Sequence, residues 1–239
     1  MDMIKKVLVT GASKGIGRAI AKSLCDEGYC VYICARHEDA LKQTVKDIGA
    51  KGYFVCDLSV CNNFDKIVQN DFDVLINNAG AYVYSSVEST RCEDIDNLIK
   101  LNIEAPYKLI KSVVPYMKTK KWGRIVNIGS ISGVVGEANA SLYSMTKSAY
   151  IGLTKSLALE LAQDNITVNT ISPGWVDTEL ANEAVNNSVF SYEEELDMIP
   201  QRRFIHPDEI ANLVKYIISV DAKGMTGQNI NLCAGLSVG

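Results

Sequence analysis

Three tyrosines in this sequence are followed, four residues on, by a lysine: Tyr107/Lys111, Tyr116/Lys120 and Tyr143/Lys147. On a helix that spacing stacks both side chains on one face and sets a phenol beside an ammonium. A phenol ordinarily ionises near pH ~10, too high for efficient proton transfer near neutrality. A neighbouring cation in a partly dry site favours the phenolate, and a shift of about three units takes ~4 kcal/mol of preferential stabilisation. With 11 tyrosines in the chain, such pairs also arise by chance, so context must choose among them. Tyr143 opens a helical stretch that follows the apolar run Ile125-Val126-Asn127-Ile128-Gly129, closed by Ser130. A hydroxyl, a phenol and an ammonium would then meet at one strand end. Ser130 would hydrogen-bond a carbonyl oxygen, Tyr143 would protonate it as hydride arrives, and Lys147 would tune the phenol. The other two pairs run along one earlier helix and read as packing and surface charge.

A second constellation is Thr10-Gly11-Ala12-Ser13-Lys14-Gly15-Ile16-Gly17, placed between an apolar strand and an amphipathic helix. Gly11, Gly15 and Gly17 would allow a tight turn and close backbone approach, and exposed N–H groups at the helix end would hold a pyrophosphate. The spacing is Gly-x-x-x-Gly-x-Gly, so the flanking strand and helix carry much of the signal. An NAD site would place an acid near the end of the second strand to bind the ribose 2′-hydroxyl. Here that strand ends Ile33-Cys34-Ala35-Arg36, without an acid. Lys14 and Arg36 could converge on a 2′-phosphate, or both could be solvated surface cations; the former predicts NADPH as cofactor.

Apolar runs at Val7–Thr10, Cys30–Ala35, Tyr53–Cys56, Val74–Asn77, Arg124–Gly129, Thr167–Ser172 and Asn229–Cys233 must position these groups. Most are apolar on successive residues, as in strands covered on both faces. Helical stretches lie between them, including Ile16–Glu27, Ile95–Met117, Tyr143–Ala162 and Pro207–Ser219. Strand, helix, strand, repeated, predicts a doubly wound α/β fold with a parallel sheet of about seven strands and helices on both faces. The 239 residues, 47% of them apolar, suit one domain spanning 1–239. Residues 177–203 break the rhythm with polar and acidic sequence after a strand end, and are expected to be a substrate lid or a solvated surface helix.

Composition excludes other classes. A net charge of −4 argues against duplex nucleic-acid binding. Met1 to Lys6 lead directly into Val7-Leu8-Val9, too short a run for a signal sequence or membrane span, so a cytoplasmic location is expected. The seven cysteines form no Cys-x-x-Cys pair and read as reduced structural thiols. His37 and His206 have no partners at metal-ligand spacing, and no metal site is expected.

Thr10–Gly17, Asp57, Asn77-Asn78-Ala79-Gly80, Asn102, Ser130, Tyr143/Lys147, Pro173-Gly174 with Thr178, and Thr226-Gly227-Gln228 together resemble the short-chain dehydrogenase/reductase family. Within it the chain is most similar to the 3-oxoacyl-[acyl-carrier-protein] reductase branch. The resemblance implies a Rossmann-like fold. It implies that Asp57 and Leu58 contact the adenine, and that Asn78, Ala79 and Gly80 lie beside the cofactor. Asn102 would complete a catalytic tetrad by holding a water that relays protons to Lys147, and Lys147 would also bind the nicotinamide ribose. Pro173, Gly174, Val176 and Thr178 would flank the nicotinamide, the last two holding its carboxamide. A homotetramer is implied, with the Tyr143 helix and its predecessor at one interface. Three departures stand out: a short stretch from Asp57 to Asn77, Cys233-Ala234-Gly235 near the C-terminus, and Asp164 where carrier-protein reductases often place a cation.

The resemblance implies NADPH-dependent reduction of a ketone to a secondary alcohol, with a 3-oxoacyl thioester on acyl carrier protein as the expected substrate. A free steroid, sugar or polyol ketone is the alternative. A non-catalytic NADP(H) sensor is a third reading, which the complete Ser130, Tyr143, Lys147 and Asn102 set disfavours. An acidic carrier protein would need a basic landing site, and Lys118, Lys120, Lys121 and Arg124, or Arg202-Arg203, are candidates. A solvated helix end accounts for the first cluster equally well. Val134, Val135, Trp175 and the Tyr192–Ile199 segment are expected to line the pocket.

Overall fold

Seven short apolar segments form one parallel sheet in a computed structural model that describes residues 4–60, 64, 67, 69–179, 181 and 191–238. They are β1 (Lys6–Thr10), β2 (Cys30–Ala35), β3 (Gly52–Val55), β4 (Val74–Asn77), β5 (Gly123–Ile128), β6 (Ile166–Pro173) and β7 (Asn229–Leu232). The spatial order is β3-β2-β1-β4-β5-β6-β7. Each expected strand is present, its ends displaced by at most one residue. The strand order reverses between β1 and β4, and clefts at such a switch point are where open α/β sheets take ligands.

Alternation along the strands sorts the core into two layers. Val7, Val9, Ile33, Ile76 and Val126 face one side with α1 (Gly15–Asp26) and α8 (Pro207–Ile218). Leu8, Cys34, Leu75, Ile125 and Val168 face the other with α4 (Ala105–Lys120) and α6 (Ser141–Leu161). Because both faces are covered, β4, β5 and β6 are buried at every position. Helix α1 reaches the sheet through Gly17, Ile20, Ala21 and Leu24, a three-to-four-residue stripe. Helix α8 starts sharply because Glu209 accepts a hydrogen bond from the His206 N–H and Pro207 takes the first helical position.

Further elements are α2 (Glu38–Ile48), α3 (Cys92–Ile99), the one-turn α5 (Ser132–Val135) and α7 (Tyr192–Met198). The continuous helix expected over Ile95–Met117 is divided: α3 and α4 are separated by a π-helical turn, Lys100–Glu104. Residues 61–63, 65, 66 and 68 of the Asp57–Asn77 stretch, Cys61 among them, lie outside the described residues. No helix among the described residues is long and apolar enough to cross a membrane.

Candidate active site

The ends of β4 and β5 and the start of α6 converge on a cavity of about 560 Å³. Ser130 stands just past β5. After it, α5 docks directly on α6 at Gly133, where an added Cβ would lie 2.6 Å from the Lys147 carbonyl carbon. Ser148 Oγ fastens this contact by donating to the Gly133 carbonyl at 2.7 Å. This close packing brings Ser130 alongside Tyr143, near enough for its hydroxyl to favour the phenolate. Both line the cavity.

Lys147 lies behind Tyr143. Its ammonium donates to the Ile128 carbonyl at 2.9 Å and sits 5.7 Å from the Tyr143 ring centre. Burial pushes this lysine down to about 8. Burial also pushes the Tyr143 phenol up to about 12; the Ser130 hydroxyl opposes that rise and the charge of Glu137 adds to it. The expectation that Lys147 lowers the phenol is therefore corrected for the protein alone. Loss of hydration penalises both charged forms, and the ammonium is turned toward a backbone carbonyl.

Asn102 occupies the π-helical turn between α3 and α4, a backbone irregularity often found at functional sites. It is fully buried. Its Oδ1 accepts from the Ala81 N–H at 3.0 Å, while its Nδ2 donates to the Ala81 carbonyl at 3.0 Å and to Thr146 Oγ1 at 3.1 Å. Gly80 faces the same point: a Cβ there would lie 3.2 Å from Asn102 Oδ1 and 3.4 Å from Lys147 Nζ. The structure thus brings Asn102, Ser130, Tyr143 and Lys147 into one neighbourhood. Tyr107, Lys111, Tyr116 and Lys120 lie on α4, and none of them lines this cavity.

The glycine-rich turn lies at the C-terminal end of β1. Gly11 and Gly15 have φ of 65° and 55°, backbone geometry that a side chain would strain. Gly17 permits close approach, since a Cβ there would collide with Asn78 Nδ2 and fall 2.5 Å from the Gly11 carbonyl oxygen. Asn78 Nδ2 donates to the Thr10 and Gly11 carbonyls at 2.9 and 3.1 Å. Its N–H and that of Ala79 donate to Thr10 Oγ1. Carbonyl oxygens are thereby drawn to the protein side of the turn. Helix α1 starts at Lys14 without a side-chain cap or an acid in its first turn, which leaves its N-terminal N–H groups suited to an anion. Thr178 approaches from the opposite side, with Cγ2 3.5 Å from the Cβ position of Gly15. Val176 is buried beside it and pairs with Ile205. Pro173 ends β6, and Gly174 packs tightly against Cys233, where an added Cβ would lie 3.0 Å from the Cys233 Cα. These residues, with Ala12, Ser13, Ile16 and Gly80, fit a dinucleotide lying from the turn to the catalytic groups.

The residues expected at the adenine end are more open. Leu58 is buried, whereas Asp57 is exposed. Ser59 donates to Asp57 through N–H and hydroxyl at 2.9 and 2.6 Å, and these bonds help hold its carboxyl below the usual range. The Arg36 charge contributes to the same shift. Lys14 pairs with Glu179 at 2.7 Å, both side chains exposed.

Trp175 and Val135 line the cavity as expected, while Val134 does not. Of Tyr192–Ile199, only Glu195 and Met198 line it. In the expected lid, residues 180 and 182–190 lie outside the described residues; Thr178, Ala181, Glu195 and Met198 border the cavity. Tyr82, Tyr84, Glu137, Asn139 and Leu236 also line the wall, although no spacing in the sequence marks them.

Within the basic cluster near the start of β5, the expectation for Arg124 is corrected. Arg124 is buried, donates to the Gly123 and Asn165 carbonyls at 2.8 and 3.1 Å, and stacks 4.5 Å from the Trp122 ring centre. Central β5 draws it inward, so it offers no landing charge. Lys118 and Lys121 both pair with Asp164, and Arg203 makes two bonds to Glu209.

A family model described as short chain dehydrogenase matches residues 5–188. The chain is 38% identical over 239 residues to the 3-oxoacyl-[acyl-carrier-protein] reductase FabG of Buchnera aphidicola subsp. Schizaphis graminum, covering 97% of each protein. It is 36% identical to the protein of the same name from Staphylococcus aureus, covering 99% of each. Among solved structures, a single-substitution variant of actinorhodin polyketide ketoreductase with NADPH superposes with a TM-score of 0.93 at 33% identity, over 98% of this chain and 97% of that one. YwfH, an NADPH-dependent reductase involved in bacilysin biosynthesis, superposes with a TM-score of 0.92 at 29% identity, over 98% of both chains.

Proposed function

The chain belongs to the short chain dehydrogenase family, and on that footing we propose that it is an NADPH-dependent reductase converting the ketone of a 3-oxoacyl thioester to a secondary alcohol. One observation carries the reading: Ser130, Tyr143, Lys147 and Asn102 meet beside a cavity that continues toward a glycine-rich helix start. NADPH, when bound, supplies the hydride. Gly11 to Gly17 hold its phosphates through backbone N–H groups, Arg36 and Lys14 favour the 2′-phosphate, and Asp57 and Leu58 flank the adenine. Asn78, Ala79, Gly80, Pro173, Gly174, Val176 and Thr178 bracket the rest. For Lys14 this role requires exchange of Glu179 for phosphate, a small cost for an exposed pair.

Tyr143 protonates the ketone oxygen and Ser130 orients it. The raised phenol suits an acid that must stay protonated until the substrate is charged. Lys147, drawn down to about 8, sits near the working range for passing a proton onward, and Asn102 holds the backbone at Ala81 beside it. Residues 1–239 act as one NADP-binding domain, with 177–203 closing over the substrate. We also propose a cytoplasmic location and a homotetramer, the latter supported by an apolar groove between α6 and α4 with its preceding π-helical turn, lined by Ile103, Tyr107, Tyr150 and Leu153.

Curated relatives named for acyl-carrier-protein substrates favour a carrier-bound acyl chain. The pairing of Lys118, Lys121 and Arg203 with acids favours a second reading, a free ketone. NADPH oxidation by acetoacetyl thioesters on carrier protein and on coenzyme A, beside steroid and sugar ketones, separates the two. Higher kcat/KM on carrier protein is expected. Equal rates on both thioesters would support the free-substrate reading, and no oxidation with any ketone would defeat the enzyme reading.

A further inference from the structure

Glu137 lies outside the four groups assigned to the chemistry, yet it bonds to neighbours of two of them. The segment between α5 and α6 carries it to the cavity wall. There Oε1 accepts from the Tyr82 hydroxyl at 2.5 Å and Oε2 accepts from the Ser132 hydroxyl at 2.6 Å. An ionised carboxylate can only accept, so the Ser132 proton is committed to Glu137. The Ser132 oxygen is left to accept, which it does from the Ser130 hydroxyl at 3.1 Å. The Ser132 N–H in turn donates to Ser130 Oγ at 3.1 Å. Ser130 has one proton. With that proton turned to Ser132, the Ser130 hydroxyl is held in one orientation on the cavity wall it shares with Tyr143. On the opposite side, the Tyr82 ring packs edge-on against the Tyr143 ring, with centroids 4.9 Å apart and planes at 80°. Glu137 therefore grips Tyr143 from two directions.

We propose, on the reading that Tyr143 and Ser130 perform the proton chemistry, that Glu137 is a positioning residue for both. Through Ser132 it turns the Ser130 hydroxyl, through Tyr82 it seats the Tyr143 ring, and its charge keeps that phenol in the acid form a ketone needs. The bonds to the carboxylate are charge-assisted and strong, whereas the Ser130–Ser132 bond is longer and joins neutral groups. A ketone oxygen can thus capture the Ser130 proton by breaking the weakest link while Tyr82 and Ser132 stay in place.

The other titratable groups lining the cavity are Tyr82, Tyr84, Tyr143 and Glu195, with Lys147 behind Tyr143. Negative charge at 137 disfavours the phenolate, so its removal should let Tyr143 ionise at lower pH. The test is a pH titration of phenolate absorbance, each protein measured against its own Tyr143→Phe counterpart. Glu137→Gln, close in shape but neutral, should move the Tyr143 titration down by about half a pH unit or more, as expected for one nearby charge. The alkaline limb of kcat/KM for acetoacetyl-coenzyme A should move with it. Glu137→Ala should move it the same way. Glu137→Asp keeps the charge but is too short to hold both hydroxyls, so kcat should fall several-fold with the limb unmoved. Coincident titrations of wild type and Glu137→Gln, or equal displacements in the Gln and Asp variants, would overturn the proposal. The absorbance titration needs no turnover. Inactivity toward acetoacetyl-coenzyme A would count against the substrate reading alone.

Discussion

At the β1–α1 turn, charge would be met by backbone dipoles; at the ends of β4 and β5, it is met by buried side chains. The turn contains glycines, Thr10 and Asn78, whose hydrogen bonds are closed within the protein and whose helix end remains open to an anion. No ionisable group has to be buried to build it. The catalytic side encloses Tyr143 and Lys147, and burial drives both toward neutrality. Dipoles fixed by the backbone bind without an electrostatic penalty in the empty protein. Side chains that must exchange protons cannot escape one, and the surrounding packing at Gly133, Thr146 and Asn102 holds them in place.

Substitutions on each side put that contrast to the test. The largest effect is expected for Tyr143→Phe. NADPH oxidation should fall by roughly 10²–10⁴-fold, the usual worth of a general acid, while NADPH binding measured by fluorescence persists. Retention of near-wild-type rate would remove Tyr143 from the chemistry. Gly17→Ala should do the opposite. Its methyl would meet Asn78 and the Gly11 carbonyl below contact distance, costing about 1–3 kcal/mol of stability and weakening NADPH binding. An unchanged melting curve and NADPH affinity would show that the turn has more room than its geometry indicates.

Arg36→Asp should shift the ratio of NADPH to NADH kcat/KM toward NADH by roughly 10- to 100-fold, the scale of one or two charge-assisted bonds. An unchanged ratio would make Arg36 a bystander. Lys147→Met should abolish efficient turnover yet stabilise the cofactor-free protein by on the order of 1–3 kcal/mol below pH ~8, because it removes a buried ammonium. The sign follows from a folded value of about 8 against an ordinary 10.5. Below both values the wild type carries the buried charge. Between them the unfolded chain binds more protons, so wild-type stability rises with pH and the gap to the Met variant narrows. Denaturant melts across that range would check it, and a pH-independent gap would assign the difference to packing.

Much of the architecture was legible in the order of residues. Runs such as Val74–Asn77 and Cys30–Ala35 are short, apolar and flanked by turn residues, so their bounds follow from composition alone. The glycine turn and the Tyr143/Lys147 pair were legible too, because each is a local spacing anchored to a strand end. Arg124 misled because proximity to Lys118, Lys120 and Lys121 in sequence suggests a surface patch. Its strand is flanked by β4 and β6, and the side chain folds onto Trp122. Glu137 and Tyr82 carried no local signal; 55 residues separate them, and only the approach of the β4 end to α6 joins them.

Local sequence thus dictated the alternation of strands and helices, the turn at Gly11–Gly17, and which residue types could donate or accept a proton. These depend on periodicity and spacing over a few residues. The folded arrangement settled which cations are free to meet a partner, that Tyr143 and Lys147 are both pushed toward their neutral forms, and that Glu137 stands beside them. Burial and convergence come from distant segments, and it is the water they exclude that sets the strength and sign of each electrostatic effect.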